Sequence, residues 1–144
     1  MREAVKGAEV TGLRSVIPKR GIIVMDAGPE TTRDCLSLRT MFDCERARCL
    51  IAAGVDMPLA TLRKVHEDLL HTASAQDFPD LSRHAIQTDL PLHDMLAAGV
   101  GSPLAMRLYD ENRDRIAVIQ NSRPFLPTRI VSAMGEHLDV IAAQ

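Results

Sequence analysis

The 144-residue chain has no tryptophan, three Phe and one Tyr. Ala, Leu, Arg and Met are plentiful instead. That balance disfavours a sheet sandwich and favours packed helices. Cysteine is scarce and odd in number: Cys35, Cys44 and Cys49 show no disulfide spacing. Cys44 and Cys49 have no second cysteine pair, which argues against a zinc knuckle. The three are expected to be small, buried, reduced thiols of a cytoplasmic protein. Long apolar runs are also missing. The longest, such as "LIAAGV", fall far short of the roughly 20 residues of a membrane span, and the N-terminus lacks an apolar signal region. A soluble, cytoplasmic chain with no membrane partner is expected. Neither sign of charge dominates: 17 Lys and Arg face 19 Asp and Glu, a net −2. A chain-wide nucleic-acid footprint is thereby excluded, although a local basic patch is not. There is no Gly-rich phosphate loop, since "GVGSPL" lacks a preceding strand and a third glycine. Internal repeats and low-complexity tracts are absent too.

What is present is mostly helical pattern. Residues 1–12 read as the back half of a helix stopped at Gly12. "LRSVI" and "GIIVM" are short β-prone runs around "PKR" and predict a β-hairpin with a basic tip. "DAGPETT" reads as a linker. A helix with apolar residues at 38, 42 and 49 follows and ends at Gly54. The next opens near Asp56 and Pro58, with the stripe Leu59, Leu62, Val65 and Leu69. A third runs from about "DFPDL" through His93 to Leu96. The fourth is expected to be capped by Ser102 with Pro103 at its first position, and its stripe is Leu104, Leu108, Ile116 and Ile119. The last places Ile130, Met134, His137 or Leu138, and Ile141 on one side. Five amphipathic helices with short connections predict an all-α, antiparallel bundle.

The chemistry concentrates in "TDLPLHDML". Asp89 and His93 stand four apart, one above the other on a helix face. Alone, such a pair is commonly a solvated surface feature. His137, on or beside the last apolar stripe, should point inward, where a lone histidine is more often a hydrogen-bonded core residue. Together the three offer one oxygen and two nitrogens, a donor set that suits zinc first, and nickel or manganese. Pro91 removes one helix hydrogen bond between Asp89 and His93, so the helix should either kink there or begin afresh near Asp89. His66, His71 and His84 have no partner at ligand spacing; His66 and His71 are expected at the surface or its boundary.

Four stretches, "REAVKGAEVTGLRSVIPKRGIIV", "LSLRTMFDCERARCLIAAG", "TDLPLHDMLAAGVGSPLAMRLYDENRDRI" and "GEHLDVIAAQ", together resemble the GntR family of bacterial transcription regulators, in the subgroup with an all-helical FCD effector-binding domain. The resemblance covers nearly the whole chain. It implies a partial winged helix-turn-helix over residues 1–26, a helix end plus a β-hairpin wing, with Arg2, Lys19, Arg20 and Gly21 as the DNA-contacting positions. It implies an FCD-like domain over residues 27–144. There Asp89, His93 and His137 would hold a divalent metal, and a fourth ligand would come about twenty residues past His137. Arg39 would pair with a small carboxylate effector as a bidentate fork. Asp43 stands where a glutamate is usual, and Ser102 where an asparagine is common. By the same resemblance the chain lacks a last helix and the first helices of the DNA-binding module. Impaired operator binding, self-association and an internal codon misread as the start are the corresponding expectations.

The expected function is therefore a ligand-responsive transcriptional regulator, a homodimer whose operator affinity shifts when the effector binds. It is not an enzyme in this reading. The alternatives are a metal-dependent hydrolase or isomerase built on Asp89, His93 and His137, for which no general base stands out, and a helical oligomerisation module without a ligand.

Overall fold

A computed structural model describes residues 13–17, 21–74, 80–97, 101–123 and 125–143. Arg2, Lys19 and Arg20, and the helix expected over residues 1–12, lie outside the described residues. Among the described residues there are two strands and five helices. The chain divides into two compact units, Met1–Phe42 with Ser102–Arg123, and Asp43–Gly101 with Pro124–Gln144.

In the first unit, β1 (Arg14–Ile17) and β2 (Gly21–Val24) pair antiparallel, from Arg14 opposite Val24 to Ile17 opposite Gly21. The amide of Met25 donates to the Leu13 carbonyl at 2.8 Å and extends the ribbon by one bond. Helix α1 (Pro29–Ala52) starts inside the stretch expected to be a linker. Pro29 is preorganised for a first helical turn, and Glu30 suits the positive end of the helix dipole. Further along the chain comes α4 (Pro103–Ser122). As its sequence implies, Ser102 caps it: the Ser102 Oγ accepts from the Ala105 amide at 3.3 Å, with Pro103 in the first turn.

The buried stripe of α4 differs from the expected one. Tyr109, Asn112, Ile116, Ile119 and Gln120 are buried, whereas Leu104 is 58% exposed and Leu108 47%. Leu108 and Tyr109 are neighbours about 100° apart around the helix. Rotating the buried face onto Tyr109 turns Leu108 outward. Tyr109 meets Phe42 edge to face at 5.9 Å, and Asn112 Nδ2 donates to the Cys35 carbonyl at 3.0 Å. Cys35 packs with Ile116 and Ile119 beneath Met25 and Ala27.

All three cysteines are expected to be buried, and only Cys35 is; Cys44 is exposed and Cys49 half-buried. Burial pushes the Cys35 thiol above its usual pKa, further removing it from reactive thiolate. With a disulfide reagent at neutral pH, Cys44 should react at the rate of a free thiol and Cys35 at least about a hundredfold more slowly, becoming fast only in denaturant. Equal rates for both would contradict the burial of Cys35.

The second unit takes the end of α1, then α2 (Leu59–Ser74), α3 (Leu81–Ala97) and α5 (Pro127–Ala142). Helix α1 stops where expected. Gly54 adopts φ +61°, the Val55 amide reaches back to the Leu50 carbonyl at 3.1 Å, and the Gly54 amide reaches Ile51 at 3.1 Å. This double bond with a left-handed residue is the Schellman stop, which glycine enters without a Cβ clash. On α1 itself the buried positions are Cys35, Arg46 and Leu50, not the expected Leu38, which is exposed.

On α2 the buried residues are Leu62, His66, Leu69 and Ala73. Val65, expected in the stripe, is 41% exposed, and His66, expected near the surface, is 0% exposed. Helix α3 is continuous across Pro91. Pro91 and Gln87 are both exposed, so the carbonyl that the proline leaves without a helix partner faces solvent, where water can satisfy it. Two apolar clusters hold these helices together. Leu69, Ala73, Ala85, Ile130 and Met134 form one; Leu62, Leu92 and Ile141 form the other. In sequence order α2 runs from the second cluster to the first, while α3 and α5 run from the first to the second. Helix α2 is therefore antiparallel to both partners, which share a direction. Between the two clusters each helix contributes polar residues: His66 from α2, Asp89 and His93 from α3, and His137 from α5.

Candidate metal centre

The polar layer follows from helical spacing. On α3, Ala85, Asp89, Leu92, His93, Leu96 and Ala97 are buried, a run of threes and fours along one face. On α5, Ile130, Met134 and Ile141 are buried and His137 falls between them on the same side. Where α3 and α5 lie side by side, Asp89, His93 and His137 bring one ligand atom each to within 4.8 Å of one another. The expected triad thus converges, with all three side chains largely buried.

Its distances suit a shared cation better than direct bonding. His93 Nε2 stands 3.4 Å from Asp89 Oδ1, and His137 Nε2 stands 3.6 Å from the same oxygen. Both are longer than a strong charge-assisted hydrogen bond. Ligands at about 2.0–2.1 Å around a tetrahedral ion are separated by roughly 3.3–3.4 Å, close to the two distances from Asp89 Oδ1.

Two further residues orient the imidazoles. His93 Nδ1 donates to Asp43 Oδ2 at 2.8 Å, which leaves Nε2 as the nitrogen facing Asp89. A carboxylate behind a ligating histidine fixes its ring and raises its basicity. The other oxygen, Asp43 Oδ1, is buried without a hydrogen-bond partner among the described residues. Leaving a buried carboxylate charged is costly, and the positive charge of a metal–imidazole unit would offset that cost. The residues present therefore fit a divalent cation with nitrogen and oxygen donors. On the other side, His137 Nδ1 lies 3.1 Å from His66 Nε2, and His66 Nδ1 lies 2.7 Å from the Leu62 carbonyl. The rings meet edge to face: His66 and His137 at 5.1 Å, His93 and His137 at 5.4 Å.

A small pocket, open at its mouth, reaches Asp89 between α3 and α5. Ala85, Phe125, Ile130, Ala133 and Met134 make its apolar walls, and Arg129 stands at its polar side. Arg129 holds Glu136 in a fork, Nη1 to Oε1 at 2.7 Å and Nη2 to Oε2 at 3.1 Å. That hydrogen-bonded pair lowers the Glu136 carboxyl below its usual range and raises Arg129, to which the Asp89 charge also contributes. Glu136 thus turns toward Arg129 on the exposed face, as adjacency to His137 on a helix implies.

The other expected site residues are placed as follows. Arg39 is half-buried on α1, in the part of that helix belonging to the first unit. Gly21 opens β2. Sequence reasoning missed His66 and Asp43. For His66 there was a pattern to use, since Leu59, Leu62, His66, Leu69 and Ala73 alternate threes and fours as cleanly as the stripe with Val65. For Asp43, 50 residues from His93, no spacing pattern could have indicated the contact.

No described helix is long and apolar enough to cross a membrane. No curated protein and no solved structure matches the chain. The FCD domain matches residues 34–144. With most of its length so matched, and with helices throughout the matched region, the chain belongs to the FCD domain family, the effector-binding domain of GntR-type regulators.

Proposed function

We propose that the chain is a ligand-responsive bacterial transcriptional regulator whose helical domain holds a divalent metal ion, zinc first among the candidates, and takes a small organic acid as effector. The convergence of Asp89, His93 and His137 carries this reading. Asp89 brings the negative charge and the two histidines bring Nε2 donors. A bound divalent cation would supply positive charge and an open position for a carboxylate oxygen. Arg39 would offer a guanidinium fork to a carboxylate effector. Residues 27–144 form the sensing domain in this reading. Residues 1–26, including the β1–β2 ribbon, form the wing side of a DNA-binding module with Arg2, Lys19, Arg20 and Gly21 toward operator DNA. In a homodimer, effector binding would shift operator affinity by favouring one of two arrangements of the DNA-binding modules.

Elemental analysis with calorimetry tests this. The purified chain should carry about one divalent metal ion per protomer. Some member of a panel of small carboxylic acids should bind, and chelating the metal should weaken that binding at least tenfold. The Arg39→Ala change should weaken it by about ten- to a hundredfold, the worth of a hydrogen bond to a charged group. A chain that binds neither metal nor acid would overturn the sensing role. Turnover of an acid ester or amide would point instead to a hydrolase built on the same three ligands.

A further inference from the structure

We propose that His66 is a positioning residue for the metal centre: through a single hydrogen bond it decides which nitrogen of His137 is presented to the ion. The inference rests on the metal ligands proposed above and extends them by one residue that neither the helix spacing nor the family resemblance assigns.

The argument is one of donors and acceptors. A backbone carbonyl can only accept, so the 2.7 Å contact with Leu62 places a proton on His66 Nδ1. His66 is fully buried, and its two partners are a carbonyl and an imidazole, neither of them an anion. In the neutral ring, a proton committed to that carbonyl at Nδ1 leaves Nε2 as the acceptor. Its Nε2 is then a lone pair, 3.1 Å from His137 Nδ1. That contact is a hydrogen bond only if His137 Nδ1 carries the proton. A neutral His137 protonated at Nδ1 has its lone pair on Nε2, the atom 3.6 Å from Asp89 Oδ1. The order of command runs from the Leu62 carbonyl to His66, from His66 to His137, and from His137 to the ligand cluster.

Without His66 the His137 Nδ1–H loses its 3.1 Å acceptor, which favours the other tautomer. A proton on His137 Nε2 would make a hydrogen bond to Asp89 and occupy both groups that the cation needs. His93 is set by a different device, the Asp43 carboxylate. The two imidazoles of the centre are thus oriented independently, one by an anion and one by a neutral ring. His66 also sits on α2, so it ties the ligand cluster to a helix that supplies no ligand of its own.

The test pairs nitrogen-detected NMR of the histidine rings with Co²⁺ binding, in the full chain and in His66→Gln and His66→Leu. Metal-free wild type should show His137 protonated at Nδ1. In His66→Leu the proton should move to Nε2, and Co²⁺ affinity should fall about ten- to a hundredfold, as for other residues behind a metal ligand. In His66→Gln the side-chain carbonyl can accept in place of Nε2, so tautomer and affinity should largely recover. His137 protonated at Nε2 in metal-free wild type overturns the proposal whatever the variants do. So does a folded His66→Leu chain that binds Co²⁺ as tightly as wild type, in which case the three ligands stand and only the role of His66 falls. A wild-type chain that takes up no Co²⁺ overturns the metal centre itself, and the positioning role with it.

Discussion

Changing Asp89 to alanine should empty the centre: metal content of the purified chain falls from about one ion per protomer to a small fraction of that. The physical reason is charge. Asp89 is the single carboxylate of the cluster, and its Oδ1 is the atom that both Nε2 nitrogens approach. Residues one step behind a ligand typically cost ten- to a hundredfold in affinity when removed. A ligand that also supplies the counter-charge should cost at least the upper end of that range. Metal binding stabilises the folded chain by an amount that grows with the logarithm of free metal concentration over Kd, about 2.7 kcal/mol at a hundred times the Kd. Added Zn²⁺ should therefore raise the melting temperature of wild type by several degrees and leave Asp89→Ala unmoved. His93→Ala should also lose the ion, with one difference. It takes away the hydrogen bond of Asp43, whose other oxygen already has no partner among the described residues. The metal-free His93→Ala chain should therefore be less stable than metal-free Asp89→Ala, by about 1–3 kcal/mol. Metal retention in both variants would remove these residues from any metal site.

Ile130→Ala should be among the most damaging single substitutions, costing about 2–5 kcal/mol in denaturant unfolding. Ile130 is 1% exposed, sits in the cluster with Leu69, Ala73, Ala85 and Met134, and walls the pocket that reaches Asp89. Truncation removes apolar contact and leaves a void that close-packed neighbours fill only in part. The informative control is Leu104→Ala. Helical spacing alone assigns Leu104 to a core stripe, and the structure leaves it 58% exposed. An exposed leucine should change stability by no more than about 0.5 kcal/mol. Equal losses at the two positions would mean that the face of α4 turned outward is covered in solution.

Much of the helical layout was legible because its causes are local. Ser102 and Pro103 announce the start of α4 through one hydrogen bond and one fixed φ. Gly54 announces the end of α1 through a backbone angle that other residues adopt with strain. The candidate triad was legible for a mixed reason. Asp89 and His93 share a face by spacing, and His137 lies on an apolar stripe, but it was the resemblance to a family that joined them.

What the chain alone determined is where helices begin, where they stop and which residues could chelate, since each depends on a few neighbouring atoms. What tertiary structure decided is which of two adjacent faces is buried, Val65 or His66, Leu108 or Tyr109, because positions 100° apart on a helix are equivalent until a partner helix arrives. It also decided the pairs Asp43–His93 and His66–His137, separated by 50 and 71 residues. No local rule spans such distances. The packing of α2 against α5 brings His66 to His137, and only that contact gives a buried histidine something to orient.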